Sequence, residues 1–310
     1  MTTSPLAVVF NPSKISREDL CDAFDRVDAD ACARAAWFET TVDDPGRGPA
    51  RDALDAGARL VIVAGGDGTV RAVAEVLAGT DVPLGIVPQG TGNLLARNLE
   101  VPIGDVDAAI TRALEPAERR IDLGWIDIDG DDEDERVFAV MVGFGLDAQM
   151  LVETDEDLKD KAGWLAYVEA LGRAVSASEV VAFDLALDGG EPERVEGHTL
   201  MIGNCGTIQG GVALLPAAAI DDGQLDLLLI SADSAAGWLD TVRSFVWDNG
   251  VRRFFAKDDD TLDSDTAQHR CATRMRVELP TPVPFEIDGE EIGDVQAFTV
   301  RVEAGALVVR

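Results

Sequence analysis

The run Gly65-Gly66-Asp67-Gly68-Thr69 sits directly between an apolar stretch, Leu60 to Ala64, and a segment of helical spacing, Val70 to Leu77. Glycines let a chain turn sharply and bring bare N–H groups against a ligand. Such groups, with the start of the following helix, favour phosphate. Asp67 is of the type that holds Mg²⁺ bridging phosphate oxygens, and Thr69 adds a hydroxyl. Taken alone, the run reads equally well as a strand-to-helix turn that needs glycine. A second loop breaks the tie: Leu84 to Val87 is again apolar and leads into Pro88-Gln89-Gly90-Thr91-Gly92-Asn93. In a parallel sheet both loops leave the carboxyl ends of strands, where such folds bind ligands. The spacing is neither G-x-x-x-x-G-K-[ST] nor G-x-G-x-x-G, which excludes the P-loop and dinucleotide fingerprints.

The rest of the first 122 residues alternates in the same way. Leu6 to Phe10, ended by Asn11-Pro12, reads as a buried strand, Arg17 to Cys32 as a helix, Ala36 to Thr41 as a strand and Ala50 to Ala58 as a helix. That rhythm predicts an α/β domain over 1–122, three-layered around a parallel sheet and open to completion by the C-terminal strand. Beyond Ile121 the pattern changes to strands separated by polar turns: Trp125 to Ile128, Val137 to Val142, Val180 to Leu187, Thr199 to Ile202, Leu225 to Ile230, Met275 to Leu279 and Phe298 to Val302. Residues 123–310 are therefore expected to form a β-rich, sandwich-like domain, interrupted by helical stretches at 163–177 and 234–256. The acid-rich segments 127–136 and 258–265 read as solvated turns.

With 26 basic and 58 acidic residues the net charge is −32, which disfavours nucleic acid, whose phosphates need clustered Lys and Arg. The imbalance is uneven: −8 over 1–122 and −24 over 123–310, so an anionic ligand meets less repulsion on the first part. Lys occurs only at 14, 159, 161 and 257, a composition that suits a high-salt cytoplasm and equally a GC-rich genome. No apolar run is long enough to span a membrane, and Leu6 to Phe10 is too short for a signal peptide, so export is not expected. Cys21, Cys32, Cys205 and Cys271 show no C-x-x-C spacing; no disulfide framework or zinc site is expected, and a reducing cytoplasm fits. His198 and His269 have no evident catalytic partners.

These motifs resemble the soluble bacterial diacylglycerol kinase family, relatives of the sphingosine and ceramide kinases. The resemblance rests on Asn11-Pro12, Gly65 to Thr69, Gly90-Thr91-Gly92-Asn93 with Ala96-Arg97, Gly143-Phe144-Gly145-Leu146-Asp147-Ala148, Pro216-Ala217, Asp221-Asp222-Gly223-Gln224-Leu225-Asp226 and Asp288-Gly289-Glu290. They run in family order over nearly the whole chain. The first glycine motif is shared with NAD kinases, whereas Gly-Thr-Gly-Asn and the late Asp-Gly-Glu are more specific to lipid kinases. The resemblance implies an NAD kinase/diacylglycerol kinase-like fold with ATP between the domains, lined by Asn11, Thr41, Gly65, Gly66, Asp67, Gly68, Thr69, Thr91, Gly92 and Asn93. It implies a structural Mg²⁺ near Asp222 with the carbonyls of Ala219 and Gln224. It makes Glu290 the acceptor of the lipid hydroxyl proton and puts Asp288 in an Asp–water–Mg²⁺ network with Asp67. Asp-Asp-Gly and Asp-Gly-Glu are otherwise ordinary turns.

Two departures stand out: Arg71-Ala72 where the family has Asn-Glu, and Leu94 where it has Asp. The expected activity is transfer of the γ-phosphoryl group of ATP to a lipid hydroxyl, diacylglycerol to phosphatidic acid. The rivals are an NAD kinase and an inactive lipid-binding protein of the same fold, the latter suited by the missing acids. The expected setting is cytoplasmic, peripheral at the inner face of the membrane, with a homodimer among the compatible assemblies. Residues 235–257 carry Trp238, Phe245, Trp247, Phe254 and Phe255 with Arg243, Arg252, Arg253 and Lys257, which suits either membrane docking or core packing.

Overall fold

A computed structural model describes residues 6–130, 135–145, 180–208, 214–215, 217–231 and 267–310. The helical stretches at 163–177 and 234–256, the basic aromatic island at 235–257, the acids at 258–265, most of the acidic turn after Asp129, residues 146–148 and Pro216 lie outside the described residues.

The chain opens with β1 (Leu6–Phe10), α1 (Arg17–Val27), α2 (Ala31–Arg34), β2 (Ala36–Glu39), α3 (Arg47–Asp55), β3 (Leu60–Gly65), α4 (Asp67–Leu77) and β4 (Leu84–Pro88). Strands β2, β1, β3 and β4 lie side by side and parallel. Every residue of β1, β3 and β4 is buried, as a parallel sheet covered on both faces requires. α4 buries Val70, Val73, Ala74 and Leu77, the i, i+3, i+4, i+7 stripe of an amphipathic helix.

The predicted helix over 17–32 is divided. α1 is capped by Ser16, whose hydroxyl accepts from the Asp19 N–H at 3.0 Å, and the chain breaks at Asp30, which has a left-handed φ of 69°. The break lets α2 turn back so that Cys21 and Cys32 form a disulfide. That pairing runs against the expectation of a chain without disulfides; it arises from a turn between the cysteines that no spacing motif announces. α3 starts ahead of the predicted Ala50, with Pro49 in its first turn where no intrahelical N–H is needed.

Two short helices that periodicity did not reveal follow, α5 (Leu94–Asn98) and α6 (Val106–Leu114). Then come β5 (Arg119–Ile128), β6 (Arg136–Phe138), β7 (Met141–Phe144), β8 (Val181–Leu187), β9 (Glu193–Gly197), β10 (Thr199–Gly203), β11 (Leu225–Ile230), β12 (Ala267–Ala272), β13 (Arg274–Ile287) and β14 (Glu290–Val309). The last pair is the frame of this region. The first half of β13 pairs with β8 and its end with β7. β14 pairs with β13 and β5 and ends beside β4, Val309 opposite Leu84 in parallel register. The C-terminal strand thus joins the parallel sheet to the antiparallel strands. A second apolar core, with Phe138, Phe183, Phe285 and Phe298 fully buried, fills the strand-rich part. The predicted single strand over Val137 to Val142 is two strands, β6 and β7, because Ala139 and Val140 turn their N–H groups to a side chain instead of a ladder.

Candidate active site

The two glycine loops face each other at the carboxyl ends of β3 and β4. Their contact is too close for side chains: a Cβ on Gly90 would lie 2.8 Å from the Gly66 Cα, and one on Gly92 the same distance from Asp67 Oδ2. The Gln89 N–H donates to Gly65 O at 2.8 Å. Asp67 is the brace. Its Oδ2 accepts from the Asn93 N–H at 2.7 Å and its Oδ1 from the Leu94 N–H at 2.5 Å, so the carboxylate of the first loop caps the helix that follows the second. Asn93 adopts a left-handed φ of 49° and closes its own loop by accepting from Gly90 N–H and donating to Gly90 O. Arg97 donates to Gly92 O at 2.7 Å. Thr69 is buried, with its side chain against Gly65.

Across the cleft the β13–β14 turn presents Asp288 and Gly289. Asp288 is buried, at φ 49°. Its Oδ2 accepts from Ala139 N–H at 2.9 Å, and its Oδ1 from Val140 and Met141 N–H at 2.8 and 3.0 Å. Burial raises the Asp288 carboxyl above the usual carboxylate range, while Arg71 and the three N–H groups oppose the rise. Asp67 is raised too, by burial first and by Asp288 more weakly, against the two N–H groups it accepts. The two acids therefore face each other through the cleft, each held by main-chain donors.

Glu290 lies one step beyond. Its Oε2 pairs with Arg71 Nη2 at 2.5 Å, while Arg71 Nη1 donates to Ile287 O at 3.1 Å. A Cβ on Gly68 would come within 3.8 Å of the same Oε2, so Glu290 sits beside the first turn of α4. Arg71, which stands where the family has Asn and beside the Ala72 that replaces the family Glu, therefore holds the proton acceptor that the resemblance implies. In the sequence Arg71 is visible only as a departure from the family pattern, because its partner is 219 positions away.

Between the loops and the turn is a cavity of about 360 Å³. Gly66, Asp67, Gly90, Thr91 and Gly92 form its polar end, with Lys14 at the same end. Val142, Phe144, Met201, Ile208 and Leu214 give it an apolar wall, and Glu286, Asp288 and Gly289 complete it. Of the residues expected at the nucleotide and catalytic sites, Gly66, Asp67, Thr91, Gly92 and Asp288 line it, whereas Asn11, Thr41, Gly65, Gly68, Thr69, Asn93 and Glu290 do not. Asn11 folds over its own turn, accepting from Ser13. Thr41 is exposed, its hydroxyl accepting from Asp44 N–H. Lys14 and Glu286, neither a nominated site residue, do line it. Gly143 belongs to the wall for a steric reason: a Cβ there would sit 2.1 Å from Leu200 O, so only glycine lets β7 approach β10.

The turn holding Ala219, Asp222 and Gln224 is organised by Asp122, which sequence reading passed over. Buried Asp122 accepts from Gly223 N–H and Gly305 N–H, both at 2.6 Å. Asp222 Oδ1 accepts from Gln224 N–H at 2.9 Å, and its carboxyl is raised by burial and by Asp226 and Asp122. One carboxylate and the main-chain carbonyls of the same turn are a hard oxygen donor set of the kind that Mg²⁺ takes, and a cation there would relieve that crowding of acids. The glycine loops, bare of Cβ atoms and floored by main-chain N–H groups, fit a polyphosphate.

Residues 5–126 match the diacylglycerol kinase catalytic domain, and residues 140–310 match the YegS C-terminal NAD kinase beta sandwich-like domain. The chain belongs to this diacylglycerol kinase/YegS family. A diacylglycerol kinase of Mycobacterium tuberculosis (strain ATCC 25618 / H37Rv) is 36% identical over 183 residues, 59% of this chain and 58% of that protein. A protein named probable lipid kinase YegS-like, of Cronobacter sakazakii, is 30% identical over 265 residues, 84% of this chain and 80% of that one. The match thus spans 58% of the length of the first curated relatives. A diacylglycerol kinase structure from Bacillus anthracis str. Sterne aligns at a TM-score of 0.69 with 18% identity, covering 100% of this chain and 97% of that one. Yeast NADH kinase aligns at 0.50 with 12% identity, covering 99% and 80%. Both show the fold, an α/β domain with a strand-rich partner. Among the described residues no helix is long and apolar enough to cross a membrane.

Proposed function

We propose that the chain is an ATP-dependent lipid kinase that phosphorylates the free hydroxyl of diacylglycerol. The observation that carries this is the two-ended cavity: locked glycine loops at one end, and a wall of Val142, Phe144, Met201, Ile208 and Leu214 at the other. An NAD kinase needs polar contacts for two riboses and a carboxamide; this wall favours an acyl chain instead.

ATP supplies the phosphoryl group, and phosphoryl transfer asks the protein mainly for positioning and charge neutralisation. Gly66, Gly90 and Gly92 leave room for phosphates, Asp67 keeps the two loops in register, and Lys14 offers a cation at the polar end. Asp288 fixes the β13–β14 turn, so Gly289 and Glu290 arrive at the mouth of the loops. Glu290 is the proposed acceptor of the hydroxyl proton, and Arg71 sets where its carboxylate points. Asp222, Ala219 and Gln224 would hold Mg²⁺, and residues 235–257 supply a candidate surface for the bilayer that delivers the lipid.

The test offers γ-labelled ATP with diacylglycerol in mixed micelles and, separately, with NAD. Labelled phosphatidic acid alone supports the reading. Labelled NADP assigns the nucleotide kinase instead, and no product with either supports the inactive lipid-binding rival, to which the Arg71–Glu290 pair lends weight.

A further inference from the structure

Strands β11 and β12 bring together three side chains that the kinase reading does not use. In their antiparallel register Asp226 lies opposite Cys271, and Leu228 opposite His269. Successive side chains of a strand alternate between faces, so Asp226, His269 and Cys271 share one face. Leu225, Leu227 and Leu229 take the other and pack into the second core.

The three polar atoms converge. His269 Nε2 lies 2.7 Å from Asp226 Oδ1, Cys271 Sγ 3.4 Å from the same oxygen, and Cys271 Sγ 3.9 Å from His269 Nε2. A nucleophilic triad is excluded by this geometry: it needs the acid on one imidazole nitrogen and the thiol on the other, whereas here both approach Nε2. Convergence on a shared point is instead what a bound ion requires. Tetrahedral zinc, with bonds of about 2.0–2.3 Å, spaces its ligand atoms about 3.3–3.6 Å apart. The observed triangle brackets those values; opening the His269–Asp226 contact by about 0.6 Å and closing the Cys271–His269 one by about 0.3 Å would centre an ion. Asp226 is buried and Cys271 exposed, which leaves a path to solvent and a fourth position for water.

We propose that Asp226, His269 and Cys271 form a binding site for a zinc-class divalent cation that ties β12 to β11. One thiolate, one imidazole and one carboxylate form a borderline-soft set that selects zinc or a similar transition metal over Mg²⁺. The site is therefore chemically distinct from the all-oxygen turn at 219–224. It is independent of the kinase reading. Neither cysteine spacing nor a His motif announces it, because its ligands come from two strands more than forty positions apart.

The test uses the full metal-free chain, without reductant, titrated with Co²⁺ as a spectroscopic stand-in for Zn²⁺. One equivalent should develop the near-ultraviolet thiolate-to-cobalt absorption, and one equivalent of Zn²⁺ should abolish it. Cys271→Ser and His269→Gln, checked for folding by circular dichroism, should lose the band, while Asp222→Asn should keep it. No band in the wild type, a band that survives Cys271→Ser, or a band lost equally in Asp222→Asn would each overturn the proposal.

Discussion

The cleft is built from two regions that use a buried carboxylate in the same way over very different spans of chain. In the parallel part, Asp67 binds two N–H groups only 26 and 27 residues ahead. In the strand-rich part, Asp288 binds three that lie 147 to 149 residues behind. The first brace joins neighbouring loops that adjacent strands already bring together. The second joins a hairpin to a strand break beside the β13–β7 pairing, between segments that are far apart along the chain. A long-range brace carries more of the tertiary structure, and a local one more of the fine alignment of the ligand loops. Stability and activity should therefore separate between the two acids.

The largest stability effect is expected at Asp288. Asp288→Ala leaves three N–H groups without their acceptor and puts a Cβ-bearing residue with no polar compensation at φ 49°, so we expect a loss on the order of 4 kcal/mol. Urea unfolding measures it; a loss no larger than that of Asp67→Ala would break the comparison. Asp67→Ala should cost about 2 kcal/mol in the same assay yet abolish phosphoryl transfer in the folded protein, because the two loops lose their register. Near-normal turnover in that variant would remove the loops from the site.

Arg71→Ala sharpens the comparison at the point where the regions meet. The ion pair is partly exposed, so stability should change by about 1 kcal/mol or less. Turnover should fall about tenfold or more while the KM for ATP holds, since the substitution frees the Glu290 carboxylate without touching the glycine loops. A rise in KM alone would make Arg71 a nucleotide contact instead. The smallest effect is in pH. Burial holds both acids above the usual carboxylate range, so between the ordinary and the raised values the folded chain binds protons that the unfolded chain does not. Their contribution to stability is greatest at low pH and declines as pH rises through the raised values. The gain in melting temperature from pH 7 to pH 5 should thus be larger for wild type than for Asp67→Asn, and equal gains would remove Asp67 from this balance.

What the chain reveals on reading follows the same division. β1, β3 and β4 are short apolar runs that end in glycine or Asn-Pro, and their partners are close in sequence, so sheet and loops are legible together. α5 is five residues long behind Asn93 and has no period to read. β9, Glu193 to Gly197, and β12, Ala267 to Ala272, lack an apolar run, and among the described residues each pairs along one edge. β13 runs through Pro280, Pro282 and Pro284, which read as breaks; a register shift between Glu278 and Val283 spans the first two, and Pro284 pairs with Asp294 beyond it. In the site, Asp67 and the glycines were visible as a motif, and Asp288 and Glu290 by resemblance. Arg71 and Asp122 were not, because the contacts that give them roles reach across 219 and 183 positions.

The central claim is that this cleft passes a phosphoryl group from ATP to a lipid hydroxyl. The most direct measurement is the rate of label transfer from γ-labelled ATP to diacylglycerol in mixed micelles, wild type beside Asp67→Ala. The account predicts labelled phosphatidic acid from wild type and none above background from the variant. Labelled NADP with no labelled lipid, or equal lipid labelling by both proteins, would contradict it.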